Sequence, residues 1–193
     1  MKQLFRLSTL LLLALLLGGC GAIVVGGAAT GAGVVHDRRT SGVIVDDQAI
    51  KLKIMDFITK HADIAEHSDI SVTSYNLKVL LAGTAENNDI RRRVADFAAS
   101  LPRVTQVYDE VTLGPRLSLK TDTADAYLTA KIKAKLLGIE LENFDPTRVK
   151  VVTVDGVVYL MGLLTAKEAD TVVDLVRHVE GVKRVVKLFD LIG

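Results

Sequence analysis

The groups in this 193-residue chain best suited to nucleophilic, acid–base or metal chemistry are one cysteine, Cys20, four histidines and the carboxylate pair Asp46-Asp47. Their spacing argues against such uses. His61 and His67, in HADIAEH, stand six apart, which puts them on different faces of a helix and matches neither H-E-x-x-H nor H-x-x-E-H. His36 and His178 have no evident partners, and no G-x-S-x-G occurs. Asp46 and Asp47 precede a periodic apolar run, where capping a helix suits them better than sharing a proton. The expectation is a protein that is not an enzyme and holds neither metal nor cofactor.

A physical rather than catalytic use is written in TADAYLTAKIKAKLLG, residues 123–138. With Tyr127 at 0° and about 100° per residue, Leu128, Ile132, Leu136 and Ile139 form a stripe between about 100° and 180°. Tyr127, Ala130, Ala134 and Leu137 lie opposite, between about 280° and 0°, with Lys131 and Lys133 flanking them. One stripe is enough to pack a helix on a sheet. The second suits either a bilayer interface or a groove between domains. At an interface the Tyr127 ring sits at headgroup depth, and the lysine stems lie along apolar surface with their ammonium groups at phosphates.

The start of the chain bears on that choice. Lys2 and Arg6 precede the run LSTLLLLALLL and then Gly18-Gly19-Cys20, the charged, apolar and small-residue regions of an export signal over residues 1–19. The run is shorter than the ~20 residues of a comfortable span. Leu17-Gly18-Gly19-Cys20 resembles the lipobox of bacterial lipoproteins, in which the cysteine is diacylated, becomes the new N-terminus and is acylated again. Cys20 is therefore the expected lipidation site, tethering the chain without spanning. An aspartate after that cysteine favours inner-membrane retention in enteric lipoproteins. Gly21 stands there, which implies the periplasmic face of the outer membrane. No cysteine remains for a disulfide, so packing alone must hold the fold.

Loss of residues 1–19 leaves 22 of the 24 basic residues against 23 acidic ones, a balance with no global field to gather nucleic acid. Residues 20–45 read as a tether and leading segment. GAIVVGGAATGAGVV lacks the lysine and the strand–turn–helix setting of a phosphate-binding loop, and DRRTSGVIVDD follows it. The run Arg91-Arg92-Arg93 falls on a helix, where at least one arginine should be solvated and could meet lipid or an acidic partner.

Internal repetition sets the architecture. VTSYNLKVLLAG aligns with VVTVDGVVYLMG: Val72 falls on Val151, Asn76 on Asp155, Val79 on Val158 and Gly83 on Gly162. Ile50, Ile54 and Ile58 match Leu128, Ile132 and Leu136, and Val104 and Val107 match Val182 and Val185. Each copy reads as a helix (47–61 or 125–137), a hairpin turning at Asn76 or Asp155-Gly156, a second helix (87–100 or 166–179) and a last strand. Thr165 with Glu168 makes a capping box. The second hairpin strands are expected to end at Gly83 and Gly162, as turn glycines. The fold class is α+β: two αββαβ copies, 46–113 and 122–193, each a three-stranded mixed sheet with two helices on one face, joined by a linker at 114–121.

This pattern is similar to the BON domain. The likeness rests on LGGC, DRRTSGVIVDD, KVLLAGTAEN, DGVVYLMGLLTAKEA and GVKRV in that order, and it covers essentially the whole chain. It implies a non-enzymatic lipoprotein with two BON domains that binds anionic phospholipid of the phosphatidylglycerol type and supports outer-membrane integrity, including at the division site. It places lipid contact on the helix of the second copy, with Tyr127 at the aromatic position and Ala130, Lys131, Lys133, Ala134 and Leu137 beside it. In the first copy, Asp56 stands where Ala134 does and Met55 where Lys133 does, so the lipid role falls on the second copy. Leu52 and Met55 are expected to pack against the other domain or the tether. The alternative is an adaptor whose extra apolar face holds an envelope assembly or cell-wall-remodelling protein.

Overall fold

The computed structural model describes residues 37–193. Cys20, the export signal and the glycine-rich tether lie outside the described residues. In chain order the elements are α1 (Ser41–Lys60), α2 (Ala62–Glu66), β1 (Ser68–Tyr75), β2 (Lys78–Ala85), α3 (Asn88–Ser100), β3 (Gln106–Leu113), α4 (Leu119–Leu136), β4 (Lys150–Val154), β5 (Val157–Leu164), α5 (Ala166–Arg177) and β6 (Arg184–Leu191). A 3-10 turn, Pro146–Arg148, precedes β4.

Each copy builds one three-stranded sheet, β1-β2-β3 and β4-β5-β6. The hairpin pairs are antiparallel, and the last strand joins the central one in parallel after a helical crossover. The hairpins turn on residues with positive φ, Asn76 (52°) and Leu77 (63°), then Asp155 (46°) and Gly156 (72°), the backbone that suits the twist of two-residue hairpins.

Three apolar layers hold the unit together. Ile50, Ile54, Val79, Leu81 and Val94 fill the space between α1, α3 and the first sheet. Leu128, Ile132, Leu136, Val158, Leu160 and Val172 do the same for α4, α5 and the second. The alternate residues of the central strands, Leu80 and Ala82 against Tyr159 and Met161, meet in a third cluster with Tyr75 and Leu188. The two sheets therefore pack face to face with the helices outside. This explains why β2 and β5 are buried along almost their whole length, as strands covered on both faces must be.

Three sequence expectations are corrected. Helix α1 starts at Ser41, inside the expected leading segment, with the Thr40 hydroxyl accepting from the Val43 N–H. Its first turn, SGVIV, joins a glycine to β-branched residues of low helix propensity, which hid it. Helix α4 likewise starts at Leu119, within the expected linker, capped by Ser118. Gly83 and Gly162 do not end their strands, which run on to Ala85 and Leu164. A Cβ on Gly83 (φ 137°) would lie 1.9 Å from the Asp69 carbonyl oxygen, and one on Gly162 2.7 Å from that of Arg148. Both mark close backbone approach rather than a turn.

Candidate functional site

Helix α4 displays the two faces its periodicity demands. Leu128, Ile132 and Leu136 are buried, with Asp125 at the head of the same stripe. On the far side Tyr127 is 70% exposed and Leu137 73%, with Ala130 and Ala134 exposed between them. Neither Tyr127 nor Leu137 is buried between the copies. The earlier start of the helix adds Leu119, 84% exposed, which at about 100° per residue falls at the same angle as Leu137. The strip therefore runs the length of the helix, about 27 Å at 1.5 Å per residue.

The lysines beside the strip divide into two kinds. Lys131 is half-buried and donates to the carbonyl (3.3 Å) and carboxylate (3.4 Å) of Glu180, beyond the end of α5. Lys133 is exposed and has no ion pair among the described residues. With Lys135 it occupies the last turn of α4, where positive charge complements the helix dipole. Lys120, at the new N-terminal turn, also borders the face next to Tyr127.

What fixes α4 to its hairpin is a residue the sequence reading missed. The Asp125 carboxylate is buried and accepts the N–H groups of Asp155 (2.6 Å) and Gly156 (2.8 Å), both in the turn. In the first copy Asp47 holds the corresponding place. It accepts from the N–H groups of Asn76 (2.8 Å) and Leu77 (2.9 Å), the Ser74 hydroxyl (2.7 Å) and Arg39 (2.8 Å). Asp47 is thus inside the helix, not its cap. The available signal was its 78-residue offset from Asp125, the offset that relates the flanking isoleucines and leucines.

Other sequence candidates are absorbed by the fold. Arg91 pairs with Asp109 and Arg93 with Asp63, leaving Arg92 exposed. His61 bonds the Phe57 carbonyl, and His67 pairs with Glu86. Leu52 and Met55 stay exposed on α1 with Val45, rather than packing on the second copy. Thr165 and Glu168 form the expected capping box. Glu168 has a second use, since Arg38 grips it with two N–H groups (2.6 and 2.9 Å) while also donating to the Leu163 carbonyl. Burial alone would raise the Glu168 pKa, but the hydrogen bonds from Arg38 and the Thr165 N–H hold it below the usual carboxylate range.

No helix among the described residues is long and apolar enough to cross a membrane. The geometry offers a buried stripe fixing α4, an apolar strip facing outward, and lysines at its edges.

Comparison with known proteins agrees with this internal repetition. Residues 46–115 and 124–193 each match the BON domain. The chain is 33% identical over 189 residues to the outer membrane lipoprotein DolP of Haemophilus influenzae, covering 98% of this chain and 97% of that one. It is 33% identical over 156 residues to a 21 kDa hemolysin of Actinobacillus pleuropneumoniae, covering 81% and 79%. Among solved structures, the C-terminal domain of CdsD, from the type III secretion system of Chlamydia trachomatis, is 14% identical with a TM-score of 0.29, covering 76% of this chain and 67% of that one.

Proposed function

The chain belongs to the BON-domain family, with one copy at residues 46–115 and another at 124–193, and on that premise we propose that it is a lipid-anchored, non-catalytic protein of the outer membrane that binds anionic phospholipid through the exposed face of α4. Cys20 carries the anchor and holds the folded unit at the periplasmic face. A relative aligned over nearly its full length bears the name of an outer membrane lipoprotein. Binding by α4 supports membrane integrity where anionic lipid gathers, the division site included.

The observation that carries this reading is the strip of Leu119, Tyr127 and Leu137, each more than two thirds exposed and spaced by small alanines. A protein surface gains by covering such a strip, and one already tethered to a bilayer meets that bilayer at high effective concentration. Each lysine near an anionic surface adds about 1 kcal/mol, which suits weak and reversible contact.

The test uses the mature chain from residue 20 with Cys20→Ser, which has no lipid acceptor, cosedimented with phosphatidylglycerol-containing or phosphatidylcholine vesicles. Binding should require the anionic lipid, weaken in salt, and fall with Tyr127→Ala. The double change Lys131→Glu, Lys133→Glu should cost at least about 25-fold in partition, from ~1 kcal/mol per lost lysine. Equal binding by the folded variants would remove α4 from the membrane. A second reading, an adaptor for an envelope assembly or cell-wall-remodelling protein, draws on the exposed Val45, Leu52 and Met55 of α1. It gains ground if the unlipidated chain ignores vesicles but captures such a protein, and loses that capture with Leu52→Lys.

A further inference from the structure

Where the C-terminal end of α4 passes the first copy, a groove of about 530 Å³ opens between the two domains. The second copy supplies Ala134, Leu137 and Val149 to its lining, and the first supplies Tyr75. Three cations, Arg39, Lys133 and Lys150, also line it, and no carboxylate among the described residues does. Arg39 is already committed, bonded to Asp37 and Asp47 and stacked on the Tyr75 ring at 3.9 Å. Lys133 and Lys150 have no such partners among the described residues. Elsewhere in the second copy two of the lysines bordering Tyr127 are matched, Lys131 by Glu180 and Lys183 by Asp155.

The crowding is felt at Lys150. Although solvent reaches this residue, the protein packed about its ammonium lowers its pKa, and repulsion from Lys133, Lys51 and Arg39 lowers it further. An anion between Lys133 and Lys150 would relieve that repulsion. The volume falls within the ~300–1,000 Å³ of small-molecule sites, more than a phosphate group alone fills, and the remaining wall is apolar.

We propose that this seam groove takes the phosphate of an anionic phospholipid headgroup, with Lys133 and Lys150 donating to its oxygens and the glycerol end lying against Tyr75, Leu137 and Val149. The site rests on the membrane reading of α4 and deepens it, because Lys133, Ala134 and Leu137 belong both to the groove and to the edge of the exposed strip. A lipid lying along that strip reaches the groove without leaving the helix. The headgroup is thus read by both copies together.

Free phosphate shares this chemistry, so the experiment separates the sources. The unlipidated mature chain, carrying Cys20→Ser, is titrated by amide NMR with dihexanoyl-phosphatidylglycerol below its micelle concentration, with dihexanoyl-phosphatidylcholine, and with inorganic phosphate. Saturable shifts at Tyr75, Lys133 and Lys150 are expected with the anionic lipid, at an affinity at least tenfold above the other two. The double change Lys133→Gln, Lys150→Gln should weaken that binding at least tenfold, while Lys60→Gln, on α1 outside the groove, should not. The double variant should also unfold at a higher temperature than its parent, which guards against mistaking misfolding for lost contacts. Equal affinity for phosphatidylcholine, tighter binding of inorganic phosphate, or indifference to the double change would overturn the proposal. If the groove stays silent while vesicles still bind through Tyr127, the groove falls and the α4 reading stands. If the groove fills with monomeric lipid while vesicles are ignored, the α4 reading falls instead.

Discussion

Two aspartates at equivalent places do unequal work. Asp125 bridges α4 to its hairpin by accepting two turn N–H groups, whereas Asp47 accepts two turn N–H groups, a hydroxyl and a guanidinium. The first-copy turn also has more to restrain, since both of its positive-φ residues, Asn76 and Leu77, carry side chains, while the second turn has Gly156. A left-handed leucine costs roughly 1–2 kcal/mol, and a carboxylate gripping its N–H offsets that. Asn in place of either aspartate keeps the shape but turns one acceptor into a donor facing another donor. Hydrogen bonds to charged groups contribute about 1.5–3 kcal/mol each. Asp125→Asn should therefore destabilise by about 2 kcal/mol, and Asp47→Asn by about 3 kcal/mol or more. Urea unfolding of the two variants checks both values. A change below about 0.5 kcal/mol at Asp47 would mean that the clamp follows the fold rather than holding it.

At the scale of the elements, the strands explain why part of the fold was legible and part was not. The helix–hairpin–helix–strand order came from periodicity, and the hairpin turns from Asn76 and Asp155-Gly156, because these features depend on local backbone preference. The helix starts were hidden because the first turns, capped by Thr40 and Ser118, lie ahead of the buried stripe whose periodicity marks each helix. Leu119 was missed for the same reason, and with it the full length of the exposed strip. The face-to-face sheets left a trace in KVLLAGTA and VVYLMGLL, apolar runs with no alternation, which single-faced strands would not need. The seam groove left none, since it joins Tyr75 to Lys150 through contacts that no local pattern encodes. The two glycines were visible, but their role was not. Gly83 sits at φ 137° with a carbonyl oxygen where a Cβ would go, while Gly162 has no comparable φ and a less severe clash. Gly83→Ala should thus cost on the order of 3 kcal/mol and Gly162→Ala less, with circular dichroism during chemical unfolding giving the order. Equal costs would place the burden on packing rather than on backbone strain.

For the whole molecule, the two copies act as one unit because polar ties reinforce the apolar layer between their sheets. Lys78 and Asn76 of the first copy meet Asp190 of the second, and the Tyr75 hydroxyl donates to the Arg148 carbonyl at 3.3 Å. Two arginines that precede α1 join this seam: Arg39 binds the first copy at Asp47, and its neighbour Arg38 binds the second at Glu168. The chain therefore enters the folded unit at the junction of its halves, beside the groove that Arg39 lines. Arg38→Ala leaves a buried carboxylate with the Thr165 N–H and a more distant Arg148, 3.8 Å away, and should cost about 2 kcal/mol at neutral pH. The same contact sets an acid response. Because the folded-state pKa of Glu168 lies below its ordinary value, its stabilisation is present above the unfolded pKa and is lost as pH falls through the folded one. The parent chain should accordingly lose stability between about pH 5 and pH 3. In Arg38→Ala the folded pKa rises toward the unfolded one, so the difference between parent and variant should shrink over that interval. Unfolding curves for both chains at several pH values read this directly. A difference that stays constant down to about pH 3 would show that Arg38 stabilises the seam through packing and the Leu163 carbonyl rather than through the charge of Glu168.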